Sequence, residues 1–266
     1  MKRLKVVLLA VLFSIGSSLL HAQTFYSVIV NVVPDGFRIP LLGLVNIGTG
    51  SLSTVEMGLF NWVSDDFAGF QAGTINIVRG DVNGVQAGLF NMGGEIRGLQ
   101  IGLINIASNS DKGIPIGLIS IVRDGYHAIE LGASGGSAIH LDLKLGVEQF
   151  YTSIIIFYNP VDKDKSFGCG LGLGSIINLG EKFYLNPEIN SMANFNYDEH
   201  MLLSLDTLFG WNITEHISIT AGPQFVLHKR FGDNNYLAPM FGILEKNISD
   251  TSRIFMAARA GVRVRF

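Results

Sequence analysis

The chain is 266 residues long, 48% hydrophobic and 15% charged, with 19 basic residues against 22 acidic ones. That length suits one large domain. The balance offers no basic stripe of the kind a phosphate backbone requires, which excludes nucleic acid as a partner, and the single cysteine, Cys169, excludes an intramolecular disulfide.

The chain opens on Lys2, Arg3 and Lys5, then an apolar run from Val6 to Ile15, then Gly16, Ser17 and Ser18. A candidate cleavage point follows Ala22, so residues 1–22 read as a secretory signal peptide. The apolar run is too short for a spanning helix, which needs roughly 20 such residues. Cleavage would remove three basic residues and leave 16 against 22, a mildly acidic remainder. Past residue 22 no apolar run is long enough to cross a bilayer as a helix. High hydrophobicity without such runs fits a large soluble core, or a transmembrane barrel in which apolar residues take every second position.

Residues 41–121 repeat. The segments Leu42-Gly43-Leu44-Val45-Asn46, Met57-Gly58-Leu59-Phe60-Asn61, Ala72-Gly73-Thr74-Ile75-Asn76, Ala87-Gly88-Leu89-Phe90-Asn91, Ile101-Gly102-Leu103-Ile104-Asn105 and Ile116-Gly117-Leu118-Ile119-Ser120 carry glycines spaced 15, 15, 15, 14 and 15 residues apart. Gln71, Gln86 and Gln100 each stand two places before such a glycine. A fixed period means one structural unit used many times. Each unit is a β-prone run followed by a turn-rich stretch such as Arg79 to Gly84, and a glycine inside every apolar run argues against helix. The units are apolar on both faces. They are expected to be barrel strands around a narrow interior; the alternative is a separate stacked solenoid with asparagine ladders.

Residues 126–266 do not repeat but alternate. Ile139, Leu141, Leu143, Leu145 and Val147 oppose His140, Asp142, Lys144, Gly146 and Glu148. Phe183, Leu185, Pro187 and Ile189 oppose Tyr184, Asn186, Glu188 and Asn190, and Leu203, Leu205, Phe209 and Trp211 oppose Ser204, Asp206, Gly210 and Asn212. Successive strand side chains point to opposite faces, so these are two-faced strands. In the last segment Ile254, Met256, Ala258, Ala260, Val262, Val264 and Phe266 share one face, and Arg259, Arg263 and Arg265 the other. Its length suits a tilted bilayer crossing.

The segment Arg259 to Phe266 resembles the closing strand of outer-membrane β-barrel proteins of Gram-negative bacteria. The stretch Gly168 to Glu188, with Gly-Leu-Gly-Leu-Gly and Phe-Tyr-Leu-Asn-Pro-Glu, is similar to porin-like barrels, and the Gly-Leu-x-Asn units resemble surface-repeat outer-membrane proteins. The resemblance implies an outer-membrane location, outer-membrane lipids as surroundings, and a barrel assembly machinery that reads Val262, Val264 and Phe266 as its signal.

The fold expected is all-β: a transmembrane antiparallel β-barrel over residues 23–266, roughly 12–16 strands joined by short turns, an even count as single-chain bacterial barrels require. His140, Asp142, Lys144, Glu148, Glu188, Asp206, Arg259, Arg263 and Arg265 are the polar residues expected to face the lumen. There they pair across the interior, or set ion preference if a pore admits small solutes. Trp62, Trp211, Tyr151, Tyr158, Tyr184 and Tyr197 are candidates for interfacial girdles. Gly168, Gly170, Gly172 and Gly174 are spaced strictly by two, unlike a nucleotide loop, and read as a bare strip against which bulky neighbours rest. His127, His140, His200, His216 and His228 show no metal-ligand spacing, so no metal or cofactor is expected. No serine sits in a nucleophile motif.

The function expected is therefore non-enzymatic: a porin-like channel or structural membrane component. The alternatives are a surface adhesin built on the repeats, and an outer-membrane hydrolase using His140 and Asp142.

Overall fold

The computed structural model describes residues 26–27, 29–110, 112–136, 138–160, 166–194, 200–231 and 242–266. The leader expected over residues 1–22 and Tyr197 lie outside them. The described regular elements are all strands, and the chain divides after Gly125 into two units.

The first unit contains β1 (Tyr26–Ser27), β2 (Val30–Val33), β3 (Leu41–Leu42), β4 (Val45–Gly48), β5 (Leu52–Met57), β6 (Phe60–Val63), β7 (Phe67–Ala72), β8 (Ile75–Val78), β9 (Val82–Ala87), β10 (Phe90–Asn109) and β11 (Ile114–Val122). All pairings are parallel. One ladder runs β1-β3-β5-β7-β9, the other β2-β4-β6-β8, and β10 joins both and carries β11. Strand residues pair with their counterparts one repeat later, as in Asn46, Asn61, Asn76 and Asn91. The repeats are thus rungs of a β-solenoid and not antiparallel barrel strands, which corrects the expectation for residues 41–121.

The reason lies in what a stack of identical rungs can bond. An amide side chain both donates and accepts, so a column of asparagines satisfies itself. Asn31, Asn46, Asn61, Asn76, Asn91 and Asn105 form such a column inside the unit, each Nδ2 donating to the next Oδ1 at 2.6–2.9 Å. Gln100 Nε2 donates to Gln86 Oε1 at 2.8 Å and Gln86 Nε2 to Gln71 Oε1 at 2.9 Å. Leu52, Phe67, Val82 and Ile96 on one ladder and Val63 and Val78 on the other are buried at the strand ends away from the turn. The rungs of the repeat turn at a Gly-Leu pair, or at Gly73-Thr74 in one of them. The turn glycine is needed for close approach: a Cβ on Gly88 would lie 2.3 Å from the Gly73 carbonyl oxygen and 2.7 Å from Asn76 Nδ2.

The second unit contains β12 (Tyr126–Ser134), β13 (Ala138–Val147), β14 (Phe150–Asn159), β15 (Ser166–Gly174), β16 (Ile177–Asn178), β17 (Phe183–Asn194), β18 (His200–Asn212), β19 (Ile217–Arg230), β20 (Ile243–Ser249) and β21 (Ser252–Arg265). Eight of them form an antiparallel ring, β12-β13-β14-β15-β17-β18-β19-β21, closed where β21 pairs with β12 from Ala128↔Arg265 to Ser134↔Arg259. β16 and β20 are short additions to β17 and β21. The barrel therefore has eight strands, not the 12–16 expected. That count included the repeats, which go elsewhere.

Candidate functional site: the barrel interior

An eight-stranded barrel is just wide enough for its own side chains to fill. Here they fill it in layers. At the end where the chain enters and leaves the barrel, Tyr126, Ala128, Tyr151, Ile176 and Tyr184 form a buried cluster. Toward the other end lies an apolar layer of Ile155, Phe157, Met192, Leu202, Val226, Phe255 and Ala257. Between them sits a charged layer: Glu130, Asp142, Lys144, Glu188, Asp206, Arg259 and Arg263, none more than 2% exposed.

Strand alternation delivers these groups to one level. Glu130 on β12 stands opposite Asp142 on β13 and Arg263 on β21, and Glu188 on β17 stands opposite Asp206 on β18. Arg259 reaches across the lumen, donating to Asp206 Oδ2 at 2.8 Å, to Glu130 Oε1 at 3.0 Å and to Asp142. Arg263 donates to Glu130 Oε2 at 2.7 Å, to Asn186 Oδ1 at 2.6 Å and to the Tyr126 hydroxyl at 2.9 Å. Lys144 Nζ and the Tyr151 hydroxyl both donate to Glu188 Oε1 at 2.5 Å. Four carboxylates face three permanent cations, and every one has an opposite charge within contact distance. An isolated charge at such depth would be prohibitive; the network offsets that cost through charge-assisted hydrogen bonds.

The glycine strip makes room for this filling. Gly168, Gly170, Gly172 and Gly174 face inward, and a Cβ on each would run into Phe157, Met192, Asn190 and Tyr151 respectively, at 2.0–2.4 Å. Leu171 and Leu173 point outward, as does Cys169.

Seven of the nine polar residues expected in the lumen are in it: His140, Asp142, Lys144, Glu188, Asp206, Arg259 and Arg263. Glu148 and Arg265 are not. They pair with each other at 3.0 Å, partly exposed, at the barrel rim where β13 and β21 end. Tyr151 and Tyr184, considered for a girdle, are fully buried inside, and Trp62 belongs to the solenoid. Glu130, Tyr126 and Asn186 are central to the network and were not among the expected site residues. The alternation of Ala128, Glu130 and Gly132 against Ile129, Leu131 and Ala133 is the signal that points to Glu130.

Two kinds of chemistry can be weighed on this geometry. His140 Nδ1 lies 3.0 Å from Asp142 Oδ1, the orientation an acid gives a catalytic histidine. Its Nε2 has no hydrogen-bond partner among the described residues, so no hydroxyl is poised on it. Glu130, His140 and Asp142 also bring one ligand atom each within 4.8 Å of one another. Both carboxylates already accept from Arg259, whose charge would oppose a metal cation there.

Compared with known proteins, the chain matches no family model, and no curated protein is similar to it in sequence.

Proposed function

We propose that the second unit is a membrane-spanning anchor of the outer membrane with a sealed, ion-paired interior, a structural component in place of an open pore. The observation that carries this reading is the barrel's inside-out polarity. The outward positions of the eight strands hold Leu131, Leu141, Ile156, Leu171, Ile189, Leu205, Phe225, Ile254, Val262 and their like, all substantially exposed. Among the described residues the only permanently charged side chain on that face is Lys229, near a strand end. The ionisable groups are inside instead. A water-soluble barrel distributes them the other way.

Outward aromatics stand at both ends, with Phe225 between them. Tyr158 and Phe167 stand 4.6 Å apart at one, Phe183 and Phe209 5.5 Å apart at the other, with Trp211 and Phe266 nearby. That is where the amphipathic rings of a membrane barrel lie. The strands run from 9 to 14 residues, enough for a tilted crossing. Outward-facing Val262, Val264 and Phe266 fit the role of an assembly signal.

The test uses the full-length chain in detergent and then in a planar bilayer. The anchor reading expects faster gel mobility without boiling than with it, and no steady ion conductance. Stable conductance would reinstate a channel. A protein that stays dispersed after detergent removal, with no mobility shift, would sink the membrane reading altogether.

A further inference from the structure

The solenoid has two unlike edges. At one edge the rungs turn, stacking Ile29, Leu44, Leu59, Leu89, Leu103 and Leu118 in one column interrupted by Thr74. The first five of these are between 51% and 59% exposed. Phe60, Trp62, Phe90 and Met92 flank the column on the following strands. From Leu44 to Leu118 there are five steps of about 4.8 Å, a band about 24 Å long. Contiguous exposed apolar surface of that extent marks a contact surface.

The charges are all elsewhere. Among the described residues of this unit, every Asp, Glu, Lys and Arg except buried Glu56 lies at or next to the opposite edge. There Arg97 pairs with both Asp81 and Glu95, and Asp35 and Asp66 accept from the backbone of the next rung.

The turn N–H groups of the apolar edge are bonded within the stack. Gly58 N–H donates to Ala72 O, Gly73 to Ala87 O and Gly88 to Ile101 O, while Leu59 donates to Leu44 O, Thr74 to Leu59 O and Leu89 to Thr74 O, all at 2.9–3.0 Å. A turn normally leaves such groups to water, and a surface entering hydrocarbon must not leave them unpaired. Here the stacking of rungs does what water does elsewhere.

We infer that the Gly-Leu edge of the solenoid lies against the hydrocarbon of the lipid bilayer, with the charged edge turned to water. The occupant is acyl chain, because the band offers no charge to a polar partner and its turn N–H groups are already bonded within the stack. The inference rests on the proposed function only in needing the chain to reside at a membrane.

The test is site-directed labelling of the full-length chain in phosphatidylcholine vesicles. Cys169→Ala removes the native thiol. Single cysteines then carry an environment-sensitive fluorophore at Leu59, Leu89 and Leu103 on the apolar edge, Arg79 on the charged edge, and Leu205 on the outward face of the barrel. Retained heat-modifiability confirms that the barrel folds in each variant, and an unchanged far-ultraviolet circular dichroism spectrum confirms that the solenoid does. Labels at 59, 89 and 103 should be quenched by brominated acyl chains at least half as strongly as the label at 205, and be shielded from aqueous iodide; the label at 79 should behave oppositely. Iodide quenching at 59, 89 and 103 equal to that at 79 overturns the inference. So does shielding from both quenchers, with disulfide cross-links forming between chains through Leu89→Cys, which would make a second copy the occupant. If the label at 205 also escapes the brominated lipid, the anchor reading fails. If 205 is quenched and 89 is not, only the solenoid inference fails.

Discussion

At the residue scale, the informative positions are those where one group departs from its column or network. Glu56 occupies the column otherwise held by Gln71, Gln86 and Gln100. Its Oε2 accepts from Gln71 at 2.5 Å, while its Oε1 is buried without a partner. Burial pushes its carboxyl from the ordinary 4.5 up to about 7, and the Gln71 hydrogen bond only partly opposes this. A carboxyl raised in the folded state stabilises fully below its unfolded value. Stability then falls as pH rises from about 4.5 to about 7, and stays lower above that. The penalty at alkaline pH is about 3 kcal/mol. Glu56→Gln should abolish this slope and slow hydrogen exchange across the neighbouring rungs at pH 8, with little change at pH 5. Equal pH dependence in both proteins would refute it. Arg259 is the counterpart in the barrel. It touches Glu130, Asp142, Glu188 and Asp206, so Arg259→Met leaves four buried carboxylates with two cations. Breaking buried pairs of this kind costs about 3–5 kcal/mol. The urea midpoint of the detergent-solubilised protein should drop accordingly, and an unchanged midpoint would mean the network is energetically idle. Strand alternation made Asp142 and Arg259 legible in the sequence. It could not show that one guanidinium serves four acids, because that depends on which strands close the ring.

At the scale of the element, the repeat period was legible but its meaning was not. A unit of about 15 residues was expected to give one long strand. It gives two short ones, as in β5 and β6, folded about the Gly-Leu turn. The periodic glycine is the reason: its missing side chain admits the carbonyl of the preceding rung. The end of the stack shows the same logic in reverse. The glutamine column ends in Pro115, which has no N–H to offer a further strand. The asparagine column ends in Ser120, whose hydroxyl accepts from Asn105 and turns back to the Pro115 carbonyl at 3.1 Å. Both replacements blunt an edge that would otherwise template another rung. The double variant Pro115→Gln, Ser120→Asn restores the ladder chemistry on β11. It should raise the particle mass seen by light scattering in detergent, in a concentration-dependent way. A mass equal to that of the parent at every concentration would show that β11 is blunted by something other than these two residues.

At the scale of the whole molecule, the division at Gly125 separates two different ways of satisfying a backbone. The solenoid bonds along its stack, each rung depending on its neighbours. The barrel bonds around a ring, and the ring is complete within residues 126–266 because β12 and β21 pair directly over seven residues. The change from repetition to alternation in the sequence marks this division, although only the pairing of β21 with both β19 and β12 reveals a closed count of eight. Ring closure makes a sharp prediction. Residues 126–266 produced alone should refold in detergent to a band that migrates faster unboiled, since the charged layer's ion pairs among the described residues all lie within this segment. Removing residues 252–266 from the full-length chain is the smaller deletion and should be far more damaging. It strips the partner from both β19 and β12, and it takes away Arg259 and Arg263, leaving Lys144 as the only permanent cation among Glu130, Asp142, Glu188 and Asp206. Two open edges and an unbalanced interior leave no compact detergent-resistant state, so the mobility shift should vanish. If the truncated protein kept the shift while residues 126–266 alone lost it, barrel stability would have to come from the solenoid, and the self-sufficient ring would be the wrong description of this half of the chain.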